Sequence, residues 1–224
     1  MSTHIIIAVD GPAASGKGTL ARRLADQLHL AHLDTGALYR LTAKHILDIK
    51  GNPDDPKDAL EAALYIRDHL NWEMLENPLL RTDKVADATS RSSQFPAMRE
   101  VLLETQRNFA HHPPLKHGVP PHQGAVLDGR DIGTVVCPFA TIKFFVTAGT
   151  ETRAERRFRE LGAKGITTTY DDVLLDMQER DARDASRTTA PLKPAADAVI
   201  LDTSSINADE AFEKALSIVR NKIA

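Results

Sequence analysis

Short runs of consecutive apolar residues alternate along the chain with stretches in which apolar residues recur every third or fourth position. The runs are Ile5–Val9, Ala31–Leu33, Ala125–Leu127, Ile142–Val146 and Ala198–Leu201. Near-continuous apolar runs are typical of strands that are buried on both faces of a sheet. The pattern therefore predicts about five strands of a parallel sheet.

Helical periodicity fills the segments between these runs. Leu20, Leu24 and Leu28 recur every fourth residue directly after the first strand. Similar patterns occur near residues 101–109 and 211–219. Strands that alternate with helices indicate an α/β fold. We expect a three-layer sandwich with helices on both faces of a central parallel sheet.

Two regions interrupt the alternation and suggest additions to a single domain that spans residues 1–224. Residues from about 48 to 98 contain turn signals and two helix-like patches, at Ala59–Leu70 and Thr82–Ser90, and are interpreted as an insert. Residues from about 151 to 170 are charged and predict a helix followed by a mobile loop. The core is then 1–47, 99–150 and 171–224. The Pro- and His-rich stretch His111–Gln123 predicts an irregular surface loop rather than a metal site.

Composition narrows the class of protein. The chain has 224 residues, 42% of them hydrophobic, and a formal net charge of −3, which argues against a general nucleic-acid binder. Its single cysteine, Cys137, cannot form an internal disulfide and fits a reducing compartment. No apolar run is long enough for a signal peptide or a membrane span. We therefore expect a cytoplasmic protein without membrane or nucleic-acid partners.

The strongest chemical signal is a glycine-rich segment between the first strand and the first helix, the context that a P-loop requires. Glycines allow backbone N–H groups to surround phosphate oxygens, and the helix N-terminus adds partial positive charge. Lys17 can reach the β- and γ-phosphates of a nucleotide. The candidate ATP-binding residues of the loop are Gly11, Pro12, Ala13, Ala14, Ser15, Gly16, Lys17, Gly18 and Thr19.

The segment departs from the strict P-loop pattern at one position. Gly18 stands where a Ser or Thr would bind magnesium, and the hydroxyl of Thr19 comes one residue later. We therefore predict no direct metal ligation by this loop and expect Mg²⁺ to arrive with ATP. Asp128 ends an apolar strand. Its side chain has two possible roles, which are to help position the magnesium ion or to cap the backbone that follows the strand.

Three further motifs follow the loop in order. They are Asp34-Thr35-Gly36-Ala37-Leu38-Tyr39-Arg40, Asp128-Gly129-Arg130-Asp131-Ile132-Gly133-Thr134 and Glu179-Arg180-Asp181-Ala182-Arg183-Asp184-Ala185-Ser186-Arg187. Together with the Gly-Lys-Gly-Thr ending of the loop, they resemble bacterial cytidylate kinase, a P-loop nucleoside-monophosphate kinase. The resemblance extends from Ile5 to about Asp202. It implies transfer of the γ-phosphoryl group of ATP to CMP or dCMP, with the insert binding the monophosphate and residues 151–170 forming a lid.

The resemblance also implies a CMP site. Arginine offers the planar fork that suits a phosphate, and a carboxylate is a natural acceptor for the cytosine amino group, as Asp131 would be. Ser90 and Arg99 match base-reading residues, and Thr35 keeps a hydroxyl where the family often has serine. The candidate CMP-binding residues are Thr35, Arg40, Ser90, Arg99, Arg130, Asp131, Asp184 and Arg187.

Phosphoryl transfer depends on positioning and charge neutralisation more than on covalent chemistry. Lys17 is therefore a catalytic candidate, and the resemblance adds Arg180 and Arg183. We predict no catalytic base, because a CMP phosphate oxygen is already a nucleophile. Four arginines crowd the helix of the expected lid: Arg153, Arg156, Arg157 and Arg159. They are either lid cations, with Arg157 on ATP, or a solvated face.

Two other functions stay open from the sequence alone. One is a kinase for UMP, AMP or another small acceptor, against which Asp131 and Ser90 argue. The other is a P-loop nucleotide switch, which would have no need for a second phosphate site. The resemblance suggests a monomer whose partners are ATP and CMP or dCMP.

Overall fold

The structure is a computed structural model that describes residues 4–115, 122–186 and 190–223. Its strands form one five-stranded parallel sheet in the order β2-β3-β1-β4-β5. They are β1 Ile5–Asp10, β2 Ala31–Asp34, β3 Gly124–Gly129, β4 Ile142–Thr147 and β5 Val199–Asp202. Each overlaps one of the apolar runs, so the predicted α/β fold with a central parallel sheet is confirmed.

Helices connect the strands. They are α1 Lys17–Leu28, α2 Thr35–Asp48, α3 Pro56–His69, α4 Trp72–Leu75, α5 Asp83–Ser92, α6 Pro96–His111, α7 Thr150–Ala163, α8 Tyr170–Ser186 and α9 Ala208–Ile223. A 3-10 helix, Pro78–Arg81, lies between α4 and α5, and a π-helix, Ile132–Val136, follows β3. The helices predicted near residues 20–28, 101–109 and 211–219 correspond to α1, α6 and α9.

The contacts divide the chain into two compact units. We call residues 5–32 and 126–224 the sheet unit, and residues 1–4 and 33–125 the helical unit. In the sheet unit, β4 pairs in parallel with β1 and with β5, so that Phe144 lies opposite Val9 on one side and Val199 on the other.

The hydrophobic core of the sheet unit is built from strands and from the two helices α1 and α9, which pack on each other. Its large buried members are Ile7, Val9, Leu20, Leu24, Leu30, Val126, Ile142, Phe144, Val146, Leu201, Phe212, Leu216 and Val219. The four-residue spacing of Leu20 and Leu24 gives α1 its apolar face. This packing fixes the start of α1 relative to the end of β1.

A second cluster of the sheet unit joins α7 and α8 to the segment before α1. Ala154, Val173 and Met177 are buried there, and Ala13 and Ala14 pack against them. The residues between 163 and 170 contain no helix, which agrees with the predicted order of a helix and then a loop. The phosphate-loop segment therefore rests on the helices that the sequence suggested as the lid and its continuation.

The helical unit contains the segment that the sequence suggested as an insert. Between residues 48 and 98 the described chain is helical, and the patches predicted at Ala59–Leu70 and Thr82–Ser90 correspond to α3 and α5. Asp55 caps α3 by accepting a hydrogen bond from the backbone N–H of Lys57, with Pro56 in the first turn. Helix α2 packs against both α3 and α5.

None of the helices among the described residues combines the length and the apolar character that a membrane crossing would require.

The core assignment can be tested by truncating one aromatic ring. Phe144 is 1% exposed, so Phe144→Ala should lower the free energy of unfolding by about 3–5 kcal/mol, because it removes buried apolar contacts and leaves a cavity. Urea unfolding followed by circular dichroism measures this loss. Phe139→Ala is the matched control, because Phe139 is 97% exposed and should change stability by less than about 0.5 kcal/mol. Equal losses in the two variants would contradict the assignment.

Candidate active site

The predicted phosphate loop lies between β1 and α1, and its backbone adopts conformations that favour glycine. Gly11 has φ +153°, and a Cβ atom there would lie 2.0 Å from the carbonyl oxygen of Val146. Gly16, which precedes the first turn of α1, has φ +89°. Ala14 lies in the left-handed region with φ +56° although it carries a side chain. Strain of this kind is commonly found at functional sites.

Three carbonyl oxygens of the loop accept hydrogen bonds from side chains. Lys17 Nζ donates to Pro12 O at 3.1 Å. Arg153 Nη1 donates to Ala13 O at 3.3 Å, and Thr203 Oγ1 donates to Ser15 O at 3.0 Å. In a trans peptide the C=O and the following N–H point in opposite directions. These bonds therefore help to direct the next N–H groups of the loop away from the side chains that hold its carbonyls.

The hydroxyl of Ser15 is buried and has no hydrogen-bond partner among the described residues. It lies near Gly11, because a Cβ at Gly11 would be 3.1 Å from Ser15 Oγ. A buried polar group without a partner costs free energy unless a ligand or water completes its hydrogen bonds. The loop thus contains an unused hydrogen-bonding group, as expected of a site that binds a ligand.

Asp128, near the end of β3, lies beside the start of α1. A Cβ on Gly18 would be 3.5 Å from Asp128 Oδ2, an ordinary van der Waals contact, so the carboxylate lies directly beside the first turn of α1. His32 Nε2 lies 2.7 Å from Asp128 Oδ1. This histidine was not a sequence candidate, and no motif marks it. The carboxylate is buried and is oriented by a neighbouring side chain.

Asp10 is a second buried carboxylate at the end of a strand. Its two oxygens accept hydrogen bonds from the backbone N–H groups of Ile132 and Gly133, both at 2.7 Å. Burial raises the pKa of Asp10 to about 6, although these two hydrogen bonds and the charge of Lys17 act in the opposite direction. Asp10 therefore links β1 to the π-helix that follows the Arg130-Asp131 motif.

In the helical unit, the end of β2 and the start of α2 carry two CMP candidates. Thr35 is buried in the first turn of α2. Arg40 forms an ion pair with Asp34, and its Nε is buried with no hydrogen-bond partner in the part of the chain that the structure describes. A Cβ on Gly36 would approach both Asp34 Oδ1 and Arg40 Nη1 closely. Arg40 is thus held across the first turn of α2, and part of its hydrogen-bonding capacity is unused.

The two base-reading candidates of the helical unit lie on neighbouring helices. Ser90 is exposed on α5, and Arg99 is half-buried on α6. The guanidinium of Arg99 lies 5.3 Å from the centre of the Tyr39 ring, a cation–π contact, and donates to the carbonyl oxygen of Ser93 at 3.4 Å. Arg99 is therefore placed by an aromatic ring of the Asp34–Arg40 motif.

In the sheet unit, two CMP candidates contact each other directly. Arg130 Nε donates to Asp184 Oδ2 at 2.9 Å, and the Asp184 side chain is only 4% exposed. Asp131 immediately precedes the π-helix, where its carbonyl accepts from the N–H of Val135 at 2.8 Å. Arg130 thus forms an ion pair with a carboxylate on α8.

The arginines proposed for transfer lie on α8. Arg180 is exposed, and Arg183 lies one turn further along. Asp184, on the same helix, is the partner of Arg130. Arg187, another CMP candidate, and His117 of the Pro- and His-rich stretch lie outside the described residues.

The arginines of α7 separate into two kinds. Arg157 is half-buried and pairs with Glu160, and Arg159 is exposed and pairs with Glu155 of the same helix. Arg153 is 3% exposed, and Arg156 donates to the carbonyl and hydroxyl oxygens of Thr203. Neither sequence interpretation, a solvated face or a set of lid cations, describes Arg153. Local spacing along α7 does not predict the burial of Arg153, because its acidic partner, Asp181, lies on a different helix.

Comparison with known proteins agrees with this arrangement of motifs. Residues 7–221 match the model of the family described as Cytidylate kinase. The chain belongs to the cytidylate kinase family. A cytidylate kinase of Rhodospirillum rubrum is 53% identical over 218 residues, which cover 97% of this chain and 98% of the relative. One of Paramagnetospirillum magneticum is 50% identical and covers 99% of this chain and 100% of the relative. The resemblance seen in the motifs is thereby confirmed.

The fold also resembles a solved structure at low sequence identity. An uncharacterized protein from Eubacterium ventriosum superimposes with a TM-score of 0.57 at 14% identity and covers 97% of this chain and 99% of the other. Membership in the cytidylate kinase family therefore rests on sequence, and this likeness concerns the fold alone.

The raised pKa of Asp10 predicts a pH dependence of stability. The pKa in the folded protein, about 6, lies above the ordinary value of 3.8, so the folded protein holds this proton more tightly than the unfolded chain. The contribution of Asp10 to stability is therefore present at low pH and is lost as the pH rises from about 4 to about 6. A change of this size in pKa corresponds to roughly 3 kcal/mol.

Asp10→Asn supplies the comparison, because it removes the titrating group and leaves the other groups in place. Urea unfolding of both proteins between about pH 4 and pH 8 should show the wild type losing stability relative to the variant as the pH rises to about 6. Above that, the difference should be constant. Parallel profiles across the whole range would show that burial does not raise the pKa of Asp10.

Proposed function

We propose that this chain transfers the γ-phosphoryl group of ATP to CMP or dCMP, giving ADP and CDP or dCDP, in pyrimidine nucleotide metabolism. The observation that carries the proposal is the phosphate loop, with its carbonyls held by side chains, in a member of the cytidylate kinase family. There are two alternatives. The first is a kinase whose acceptor is UMP or AMP, and the second is a nucleotide switch that has no acceptor. The experiments below distinguish them.

On the ATP side, we assign the phosphates to the loop from Gly11 to Thr19 and to the N-terminus of α1. Backbone N–H groups and the helix dipole there favour negative charge. The unpartnered hydroxyl of Ser15 supports a ligand at this place. Arg157, which lies half-buried on α7 and pairs with Glu160 of its own helix, is proposed to contact ATP.

For the transfer itself, we assign Lys17, Arg180 and Arg183 to the charge that develops on the moving phosphoryl group. Preorganised cations act most strongly where water is excluded. The attacking atom is a phosphate oxygen of CMP, which is already ionised, so the mechanism uses no general base. In-line positioning of the two substrates then supplies much of the acceleration.

In the helical unit we assign Thr35, Arg40, Ser90 and Arg99 to CMP. The buried, unpartnered Nε of Arg40 supports a phosphate contact, because arginine binds phosphate through paired N–H groups. Ser90 and Arg99 are assigned to the cytosine base. The stacking of Arg99 on Tyr39 restricts the positions that its guanidinium can take.

In the sheet unit we assign Arg130, Asp131, Asp184 and Arg187 to CMP. Asp131 would accept a hydrogen bond from the cytosine amino group. Arg130 would neutralise the CMP phosphate, and its pairing with Asp184 holds the guanidinium in one orientation. Asp184 is assigned to a hydroxyl of the CMP sugar, because a carboxylate oxygen can accept a hydrogen bond from it.

The residues around the loop fit a magnesium ion that arrives with ATP. Magnesium is usually bound by one or two carboxylates together with substrate phosphates. Asp128 offers one buried carboxylate beside Gly18, and the described residues contain no cluster of three or more metal-binding side chains. We therefore assign Asp128 to the ion, with His32 orienting its carboxylate. The ion would neutralise charge on the ATP phosphates.

The remaining assignments follow the family. We propose a cytoplasmic monomer with a core of residues 1–47, 99–150 and 171–224, a monophosphate-binding insert of about 48–98 and a lid of about 151–170. Closure of the lid would limit the loss of the phosphoryl group to water.

Lys17→Met tests the phosphate loop. The change keeps the length of the side chain and removes its charge, so kcat should fall by about 100-fold or more, while the unfolding midpoint should change little. A coupled ADP-release assay and a urea titration measure the two quantities. Lys44→Met is the matched control, because Lys44 lies on α2 and pairs with Asp48 of the same helix. Near-normal turnover in Lys17→Met would overturn the loop assignment.

The acceptor is tested by measuring ADP release from ATP and Mg²⁺ with CMP, dCMP, UMP, AMP or no acceptor. We expect turnover to be greatest with CMP and dCMP, because Asp131 accepts a hydrogen bond from an amino group that uracil lacks. Greatest turnover with UMP or AMP would keep the kinase and discard the base-reading residues. ADP release that does not depend on any acceptor would favour the nucleotide switch.

A further inference from the structure

Arg153 lies on α7 and is almost fully buried, and nothing in the proposed chemistry uses it. We infer that Arg153 is a positioning residue for phosphoryl transfer, which holds the phosphate loop and helix α8 in a fixed relation. The inference rests on the proposed roles of the loop and of α8.

All five N–H groups of the Arg153 guanidinium have acceptors. Nε donates to Ala148 O at 2.9 Å, after the end of β4. Nη1 donates to Ala13 O at 3.3 Å and to Asp181 Oδ1 at 3.2 Å. Nη2 donates to Thr150 Oγ1 at 2.9 Å and to Asp181 Oδ2 at 2.6 Å. One rigid, planar group thus connects a strand end, the phosphate loop, the start of α7 and the middle of α8.

The contact with Ala13 acts on the phosphate loop through the geometry of the peptide. Because the peptide between Ala13 and Ala14 is planar and trans, its C=O and N–H point in opposite directions. Holding Ala13 O on Arg153 therefore orients the N–H of Ala14. Ala14 is also the residue with the left-handed backbone. The guanidinium thereby helps to keep a strained part of the loop in place.

The contact with Asp181 acts on α8. Asp181 accepts both Nη groups in the paired geometry of an arginine and a carboxylate, which fixes orientation as well as distance. Its neighbour in sequence is Arg180, and Arg183 follows within the same turn of the helix. The position of α8 relative to the loop is therefore set by a side chain that contacts neither substrate in our assignment.

A purely structural role is the alternative. A buried ion pair is weak support for a stabilising role, because desolvation offsets much of the attraction between the charges. However, Arg153 contacts both the phosphate loop and α8, and the proposed mechanism requires these two elements to be correctly placed relative to each other. Misplacement by about 1 Å can cost about 100-fold in rate, so the two roles predict different kinetics.

The test compares Arg153→Lys with the matched control Arg159→Lys on the same helix. Arg159 is exposed and pairs with Glu155. Lysine keeps the charge but cannot contact Ala13 and both oxygens of Asp181 together. ATP-binding sites are first counted by titration with a fluorescent ATP analogue, and kcat is then expressed per ATP-binding site. This ratio does not depend on how much of the variant is unfolded.

For Arg153→Lys we expect kcat per ATP-binding site to fall by about 100-fold, while Arg159→Lys stays within about twofold of the wild type. A purely structural role would reduce the number of binding sites or the unfolding midpoint and leave kcat per site unchanged. That result would overturn the inference.

Asp181→Asn is a second variant that keeps the arginine and its contacts with Ala13, Ala148 and Thr150. We expect it to lower kcat per site as well, and the double variant Arg153→Lys/Asp181→Asn to lose no more than the larger single loss, because the two residues act as one unit. Additive losses would overturn the coupling between loop and helix. If none of the variants folds, Arg153 is a determinant of folding and the inference is wrong.

The outcome is separable from the proposed function. Wild-type turnover with CMP and the loss of turnover in Lys17→Met test the enzyme and its loop. The rates of the Arg153 variants are compared with that wild-type rate. Absent wild-type turnover with CMP would contradict the proposed function, whereas normal wild-type turnover with an unchanged kcat per site in Arg153→Lys would contradict only the inference about Arg153.

Discussion

A loop that binds phosphate through its backbone needs its N–H groups directed at the ligand, and this requires that its carbonyl oxygens be satisfied elsewhere. Much of the sheet unit serves this requirement. Thr203 holds Ser15 O, and is itself held by Arg156 through two hydrogen bonds. Arg153 holds Ala13 O. The second hydrophobic cluster packs Ala13 and Ala14 against α7 and α8. Side chains far away in sequence therefore determine the conformation of a nine-residue loop.

Three buried carboxylates, two at strand ends and one on α8, are held by different partners. Asp10 is neutralised in part by two backbone N–H groups and keeps a raised pKa. Asp128 is held by His32, and Asp184 by Arg130. Burial of a carboxylate is costly unless it is hydrogen-bonded or paired. The orientation of each of these groups is thus set by a hydrogen bond or an ion pair within the folded chain.

The sequence was sufficient for the strands and for most helices, because buried parallel strands and amphipathic helices have local periodicities. The phosphate loop could also be predicted, because its Gly-Lys-Gly-Thr motif is contiguous in sequence and lies between a predicted strand and a predicted helix. The burial of Arg153 and the pairing of His32 with Asp128 were not visible. Each depends on residues 28 and 96 positions apart, and a run of arginines on one helix looks the same whether it faces solvent or the core. The same holds for Arg130, whose partner lies 54 positions away.

The left-handed backbone of Ala14 has a consequence for how ATP would bind. Alanine adopts this conformation less readily than glycine, and an alanine in the unfolded chain has fewer conformations to lose. The entropy cost of ordering the loop is therefore incurred when the chain folds and not when the nucleotide binds. Less ordering is left to occur on binding, so more of the free energy of the phosphate contacts is available as affinity. The loop is in this sense a template that is set before its ligand is present.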